Sequence, residues 1–309
     1  VPDSVAVIVA ARDVQETLPA LLAALRAQTH APDEVIVIDD GSTDATAALA
    51  EASPVVDRVL RLDGAGPGAA RNAGVAAAGA QILAFTDGDC TPTAGWLEAA
   101  LGAMDGADVV QGAVTPPPGV DVGPFDRTIW VTHPHGLFET ANLLVRRAAF
   151  EQVGGFKPWL RPRRGKELGE DVWLGYRLRR GGARIAFAPD AVVHHAVFPR
   201  GARDYVAERA RLRFFPVMTQ RIPELRETFL WRRFFMSRRS AAVDAAAAGA
   251  VLALVTRRRW PLLAALPWAG LVRADLRRGR RYAAAQVAAD AVGMAALAAG
   301  SVASRTPVL

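Results

Sequence analysis

Two clusters of acidic residues stand where apolar runs stop, and this recurrence constrains the chain more than any other feature. Residues 35–38 form one short apolar run, and Asp39, Asp40, Gly41 and Ser42 follow it. Residues 81–85, apolar from Ile82 on, form another, and Thr86, Asp87, Gly88 and Asp89 follow that. Continuous apolar runs of this length read as buried strands of a parallel sheet. Between the runs lie segments with helical spacing: Leu18, Leu21, Leu22 and Leu25 mark one face after the first strand at residues 5–10.

The alternation continues along the front of the chain. Thr43 or Asp44 is placed to cap a helix reaching Ala52. Residues 59–62 read as a third strand. A glycine-rich turn at residues 64–68 leads into a helix carrying Arg71 and Asn72. Residues 96–104 read as a helix and 109–114 as a strand. Strand and helix in alternation predict an α/β fold with a mostly parallel sheet and helices on both faces. Residues 116–118 are all proline, and 119–139 read as a long irregular connection, a form that in compact domains is usually functional. Regular structure resumes at 141–145. A helix is expected over 170–180, two short strands at 184–187 and 191–195, and a strongly basic helix over 205–215.

Charge divides the 309 residues unevenly. The formal net charge is +6. Residues 200–281 hold nineteen arginines and six carboxylates, a balance of +13; Asp290 and Arg305 cancel beyond them, so residues 1–199 carry −7. A basic back half suits an anionic membrane or a nucleic acid. Lys157 and Lys166 are the only lysines among 37 cations, and an arginine bias of this kind carries no mechanism by itself. One cysteine, Cys90, excludes a disulfide scaffold and a thiolate zinc cluster. The chain opens on residues 1–11, which read as a core strand, so nothing there marks secretion.

Beyond about residue 236 the composition turns to alanine with arginine clusters. Apolar stretches at 241–256, 260–272 and 282–304 alternate with them. The first is short and contains Asp244, the second contains Pro267, and the third carries Gln286 and Asp290, so they predict an interfacial or partly embedded helical region rather than firm membrane spans. The expected domains are therefore 1–199 and 200–309.

In an open parallel sheet, ligands bind beyond the C-terminal ends of the strands, which is where Asp39, Asp40, Asp87 and Asp89 fall. Like charges so close in sequence call for a compensating cation, and oxygen ligands suit a divalent metal. Taken alone, Asp87-Gly88-Asp89 is more often a plain turn.

The segments VIVAARDVQETLPALLAALRAQT, DEVIVIDDGSTDATAALA, GPGAARNAGVAAA, ILAFTDGDC, TANLLVRRAAFEQVGGF and GEDVWLGYRLRRGG occur in that order. Together they resemble the family 2, GT-A-type nucleotide-sugar glycosyltransferases over residues 5 to about 198. The resemblance implies an inverting, metal-dependent transfer of a sugar from a nucleotide-diphosphate donor to a hydroxyl acceptor. By position it implies Asp39 at the nucleotide base, Arg71 near base and phosphates, Asp87 near ribose and metal, and Asp89 as the ligand of Mn2+ or Mg2+. It also implies Asp171 as catalytic base and His195, rather than His194, at the metal or diphosphate. Asp40 and Asp44 are expected to be structural.

Two opposed effects meet at Asp171. A helix N-terminus favours its charge, while burial disfavours it. The chain departs from the family at Ala11-Arg12-Asp13, where many members have an aromatic residue and an asparagine. It also lacks the QxxRW motif of processive synthases, since Trp231-Arg232-Arg233 has different spacing; one sugar per encounter is implied. The expected setting is the cytoplasmic face of a membrane, with a lipid-linked acceptor as one option. The competing classes are a nucleotidyltransferase, which usually has a Gly- and Lys-rich phosphate loop absent from residues 10–18, and a nucleic-acid-binding protein using the basic half.

Overall fold

The structure is a computed structural model describing residues 3–160 and 168–309. Val1 and Pro2, at the front of the first expected strand, lie outside the described residues. The chain divides into two compact units, Val1–Asp121 with Thr128–Val197, and Val122–Arg127 with Phe198–Leu309.

The first unit alternates as its sequence predicts: β1 (Val5–Ala11), α1 (Leu18–Arg26), β2 (Glu34–Asp39), α2 (Thr46–Glu51), β3 (Arg58–Arg61), α3 (Pro67–Ala77) and β4 (Ile82–Asp87). It continues with β5 (Cys90–Pro92), α4 (Trp96–Ala103), β6 (Val109–Thr115), β7 (Leu143–Arg146), α5 (Arg147–Gln152), α6 (Glu170–Arg180) and β8 (Ile185–His195). The strand order is β3-β2-β1-β4-β7-β6-β8-β5. β3, β2, β1 and β4 are mutually parallel, as are β6 and β8. β7 runs antiparallel to both β4 and β6, and β5 antiparallel to β8. Val5 to Val9 of β1 are wholly buried, because helices cover both faces of the central strands.

Register places the acids. Ala11 pairs with Asp39 on one side of β1, and Ala10 pairs with Asp87 on the other, so both carboxylates end strands flanking the same point. β8 is one strand rather than the two short ones expected, because a register shift at Gly112/Ala113 lets it continue past an irregularity. Asn142 holds that place: its Nδ2 donates to the Ala113 and Ala191 carbonyls at 2.8 Å each, and its Oδ1 accepts from Trp96 Nε1 at 2.8 Å. A Cβ on Gly112 would collide with the Asn142 amide.

The second unit is helical: α7 (Ala202–Glu208), α8 (Phe215–Arg221), α9 (Leu225–Thr228), α10 (Arg238–Thr256), α11 (Leu266–Arg278) and α12 (Arg280–Ser304). The single basic helix expected over 205–215 is instead α7, a 3-10 segment Arg209–Phe214 and the start of α8. Pro216 explains the break: it fits the first turn of α8 but has no N–H to continue a helix entering from before. α10 begins at Arg238, earlier than the apolar stretch, because Ser237 and Ser240 form a reciprocal N-terminal cap. Inside this unit Arg239 bridges Asp275 at 2.8 Å and Asp290 at 2.6 Å, and Trp268 Nε1 donates to Asp290 at 2.9 Å.

Candidate active site

Asp39 is 5% exposed and its Oδ1 accepts the Ser42 N–H at 3.1 Å, which closes the turn after β2. Asp40 is equally buried and structural in its contacts. It accepts the Ala65 and Gly66 N–H groups at 2.7 and 2.9 Å and so pins the glycine turn that starts α3. Asp44 accepts from Thr46 N–H at 2.9 Å and from Gln15 N–H at 3.1 Å. The Thr46 hydroxyl first, and then these backbone N–H groups, hold its carboxyl below the ordinary range.

Asp87 and Asp89 do not share one extended segment. A turn at Gly88 separates them, and they face different partners. The turn is tight at Gly88, where a Cβ would stand 2.8 Å from Val14 Cγ2. Asp87 Oδ1 accepts from Arg71 Nη2 at 2.6 Å. Asp89 Oδ2 lies 3.5 Å from His195 Nε2. Antiparallel pairing of β5 with β8 sets Cys90 opposite His195 and brings Asp89 to the imidazole. Burial, followed by the Asp87 and Asp89 charges, pushes the Cys90 thiol up, so it is a packing group and not a nucleophile.

The tautomer of His195 follows from its other nitrogen. Nδ1 is 2.7 Å from the Ala196 carbonyl oxygen, which only accepts, so Nδ1 carries the proton. In the neutral ring, Nε2 then presents a lone pair on the side of the Asp89 carboxylate. An imidazole nitrogen and a carboxylate oxygen so placed fit a divalent cation, with the Nδ1–carbonyl bond orienting the ring. No cluster of three or more such ligands occurs among the described residues. Mg2+-type sites need no more, because substrate phosphate and water complete them. His194, by contrast, turns its Nδ1 to Thr115 Oγ1 at 3.1 Å.

Arg71 is 4% exposed and links two parts of the sequence. Its Nη1 is 3.3 Å from Glu170 Oε1, and its Nη2 holds Asp87. Burial works against its charge, but Asp87 and Glu170 outweigh that and raise its pKa. Its Nε is buried without a protein partner among the described residues.

Glu170 and Asp171 open α6 behind Gly169, whose φ of 69° is left-handed. The opposing effects at Asp171 resolve upward. Burial is the main cause, and the Glu170 and Glu139 charges add to it; the Val172 N–H and Arg71 pull weakly the other way. The Asp171 carboxyl therefore lies well above its usual range.

Two acids escaped the sequence reading. Glu170 sits beside Asp171 in the GED segment and is 8% exposed, and its position next to the expected base was the available signal. Glu139 lies in the irregular connection, where nothing local marks a carboxyl that folding will bury. Its Oε1 is 3.4 Å from His135 Nε2, and burial raises it to about 7.

A mixed sheet with a parallel front, helices on both faces and acids gathered at its strand ends defines the GT-A class of glycosyltransferase folds. Mannosyltransferase PcManGT from Pyrobaculum calidifontis, solved with GDP-Man and Mn2+, aligns with TM-score 0.56 over 99% of this chain and 88% of its own at 22% identity. S. aureus TarS, residues 1–349 with UDP-GlcNAc, aligns with TM-score 0.52 over 98% of this chain and 92% of its own at 17% identity. The sequence matches Glycosyl transferase family 2 over residues 6–161, and the chain belongs to that family.

It is 29% identical over 228 residues to the pre-mycofactocin glycosyltransferase of Mycobacterium tuberculosis, covering 67% of this chain and 45% of that one. Glycosyltransferase AglE of Haloferax volcanii is 30% identical over 213 residues, covering 64% and 68%. The chain thus spans less than half the length of its mycobacterial relative. These matches favour neither a nucleotidyltransferase nor a nucleic-acid-binding protein.

Proposed function

We propose that this chain moves a sugar from a nucleotide-diphosphate donor to a hydroxyl acceptor with inversion at the anomeric carbon. The observation that carries the reading is the double ion pair of Arg71, which joins Asp87 at the end of β4 to Glu170 beside Asp171. It ties one strand-end acid, Asp87, to the residue next to Asp171 within the first unit. Asp39 receives the nucleotide base, Asp87 and Arg71 organise the ribose and phosphate side, and Asp171 takes the acceptor proton. Asp89 and His195 would hold Mn2+ or Mg2+, which when bound supplies Lewis-acid stabilisation of the departing diphosphate.

The reaction requires the acceptor oxygen to approach the face opposite the leaving diphosphate. A carboxyl within hydrogen-bond reach of that hydroxyl is worth a factor of roughly 10²–10⁴ in rate. Asp171 suits this because its raised pKa makes it a stronger base than an exposed carboxylate.

We assign the transfer chemistry to residues 1–199 and membrane association to residues 200–309, at a cytoplasmic leaflet and beside a lipid-linked acceptor in cell-envelope or glycolipid synthesis. Support comes from two helices, Arg238–Thr256 and Arg280–Ser304, that are long and apolar enough to cross a bilayer, with 17% and 22% of their apolar windows buried. A thermal-shift series of nucleoside diphosphates with and without Mn2+ tests the donor reading. A ligand at 100 times its Kd should stabilise the fold by about 2.7 kcal/mol. No shift with any nucleoside diphosphate, with or without the metal, would remove the donor from the proposal.

A further inference from the structure

A cavity of about 270 Å³ lies inside the second unit, lined from α7, the 3-10 segment after it, α10 and α12. Leu212, Met236, Val243, Met294 and Leu297 give it an apolar wall, and the two methionines can adapt to a flexible guest.

The polar groups of the lining fall into two sets. One set is satisfied within the chain. Arg239 bridges Asp290 at 2.6 Å and Asp275 at 2.8 Å. Gln286 accepts from the Tyr205 hydroxyl at 3.1 Å and donates to Tyr282 at 2.8 Å. Ser237 and Ser240 cap each other. The other set is Arg209 and Asp244. Arg209 gives Nη2 to the Tyr205 hydroxyl at 2.5 Å and lies over that ring at 4.5 Å, and among the described residues no carboxylate pairs with it. Asp244 Oδ2 is shielded from solvent with no hydrogen-bond partner among the described residues, and no cation there pairs with the carboxylate. A charge withdrawn from water without a counter-ion is costly. Opposite charges that border one cavity without meeting call for a ligand that carries the complement of both.

We propose that this cavity binds the head of an amphiphile in which a phosphate is joined to a primary ammonium, with the phosphate on Arg209, the ammonium on Asp244 and the start of the acyl chains on the apolar wall. The guanidinium fork matches phosphate oxygens. A primary ammonium brings three N–H donors to the carboxylate. A purely anionic head leaves Asp244 facing like charge, and a quaternary ammonium offers Asp244 no N–H. The site lies in the unit to which membrane association is assigned, and it deepens that reading by naming the lipid class.

The test is isothermal titration of the full chain with dihexanoyl phospholipids dissolved below their critical micelle concentration, so that no membrane surface is present. The phosphatidylethanolamine should bind roughly tenfold more tightly than the phosphatidylglycerol or phosphatidylcholine of the same chain length, the worth of one charge-assisted hydrogen bond. Arg209→Gln should weaken the ethanolamine lipid by a similar factor. Asp244→Asn should lose the preference over phosphatidylglycerol while still binding that lipid, which also shows that the variant keeps its cavity; Asp244→Glu should retain the preference. Phosphoethanolamine, the head without chains, should bind roughly tenfold more weakly than the lipid. Equal affinity for the three lipids, no binding of the ethanolamine lipid, or a preference that survives Asp244→Asn overturns the proposal. Phosphoethanolamine binding as tightly as the lipid overturns it too, since the ligand is then a soluble phosphate ester. Because the probes are dissolved, these outcomes are separate from vesicle binding: a chain that binds the ethanolamine lipid yet ignores vesicles keeps the site and loses the membrane reading.

Discussion

His195 Nε2 stands 3.5 Å from Asp89 Oδ2 because a three-residue strand pairs with the end of an eleven-residue one. β5 holds Cys90 against His195, and the residue before Cys90 is Asp89. The imidazole is oriented from its far side by the Ala196 carbonyl, so in the neutral ring the nitrogen facing Asp89 carries the lone pair. Geometry and tautomer together motivate the proposal that this pair holds the divalent ion.

Replacing Asp89 or His195 by alanine should abolish the part of donor binding that depends on Mn2+. Isothermal titration with a nucleoside diphosphate that binds the parent should show metal-dependent affinity there and none in either variant. Asp89→Ala should keep the parent's fold by circular dichroism, since Asp89 lies in a turn, and the same spectrum checks the fold of His195→Ala, whose side chain is buried. Metal-dependent binding that survives Asp89→Ala removes Asp89 from the cation.

Asp171→Asn preserves shape and removes the proton acceptor. Transfer should fall by roughly 10²–10⁴, with donor affinity unchanged. In the parent, activity should be lost as pH falls through the raised Asp171 pKa, above the ordinary carboxylate range. An acid limb near pH 4 would show that some other carboxylate is the base.

Much of the fold was legible because the central strands are buried on both faces and so read as unbroken apolar runs. β1, β2 and β4 are of this kind, and the acids that end them were visible as DDGS and TDGD. What stayed hidden depends on contacts between distant residues. β5 is three residues long and includes a proline, so neither length nor pattern marks it. The divergence of Asp87 from Asp89 is set by Arg71 and His195, sixteen and more than a hundred positions away. Glu139 shares a cavity with Gln111 and Arg179, both far from it in sequence, a grouping that no local pattern encodes.

Arg71→Met tests the buried ion pairs. Removing the guanidinium leaves Asp87 and Glu170 without their shared cation in a site that solvent reaches poorly. Breaking one partner out of a buried pair costs about 3–5 kcal/mol. Urea unfolding at pH 7 should show a loss of this order, much reduced at pH 3.5, where the carboxylates can take up protons. An equal loss at both pH values would mean that Arg71 acts through packing alone.

Glu139 makes a stability prediction with a definite sign. Its folded pKa, about 7, lies above the unfolded value, so the native state binds more protons between roughly pH 4 and 7 and loses stability as pH rises through that window. Glu139→Gln removes the cost of a buried charge. It should be nearly neutral at pH 4 and stabilising by about 3 kcal/mol at pH 8, from the size of the shift. Urea midpoints measured at the two pH values decide it. A variant less stable than the parent at pH 8 would show that the carboxylate is favourably bound and not strained by burial.

The last prediction concerns the second unit and its surface. Leu254 is 81% exposed and Val255 74%, at the end of α10, and Trp260 and Leu263 are more than 60% exposed just beyond them. Arg257, Arg258 and Arg259 lie between the two groups. Gly249 lets the return segment close on the helix, since a Cβ there would collide with the Pro261 carbonyl. The result is an apolar tip with three cations at its turn. Each arginine near an anionic leaflet contributes about 1 kcal/mol, and exposed leucine and tryptophan can enter the headgroup boundary while the arginine charges stay wet. The full chain should sediment with vesicles containing phosphatidylserine or phosphatidylglycerol. Because apolar insertion persists when charge is screened, only part of the binding should be lost in 0.5 M salt. Leu254→Ser with Leu263→Ser should abolish the salt-resistant part, and replacing residues 257–259 by glutamine should abolish the salt-sensitive part. Full-length protein that stays in the supernatant at both salt concentrations would refute the membrane reading and leave the acceptor to be sought among soluble hydroxyl compounds.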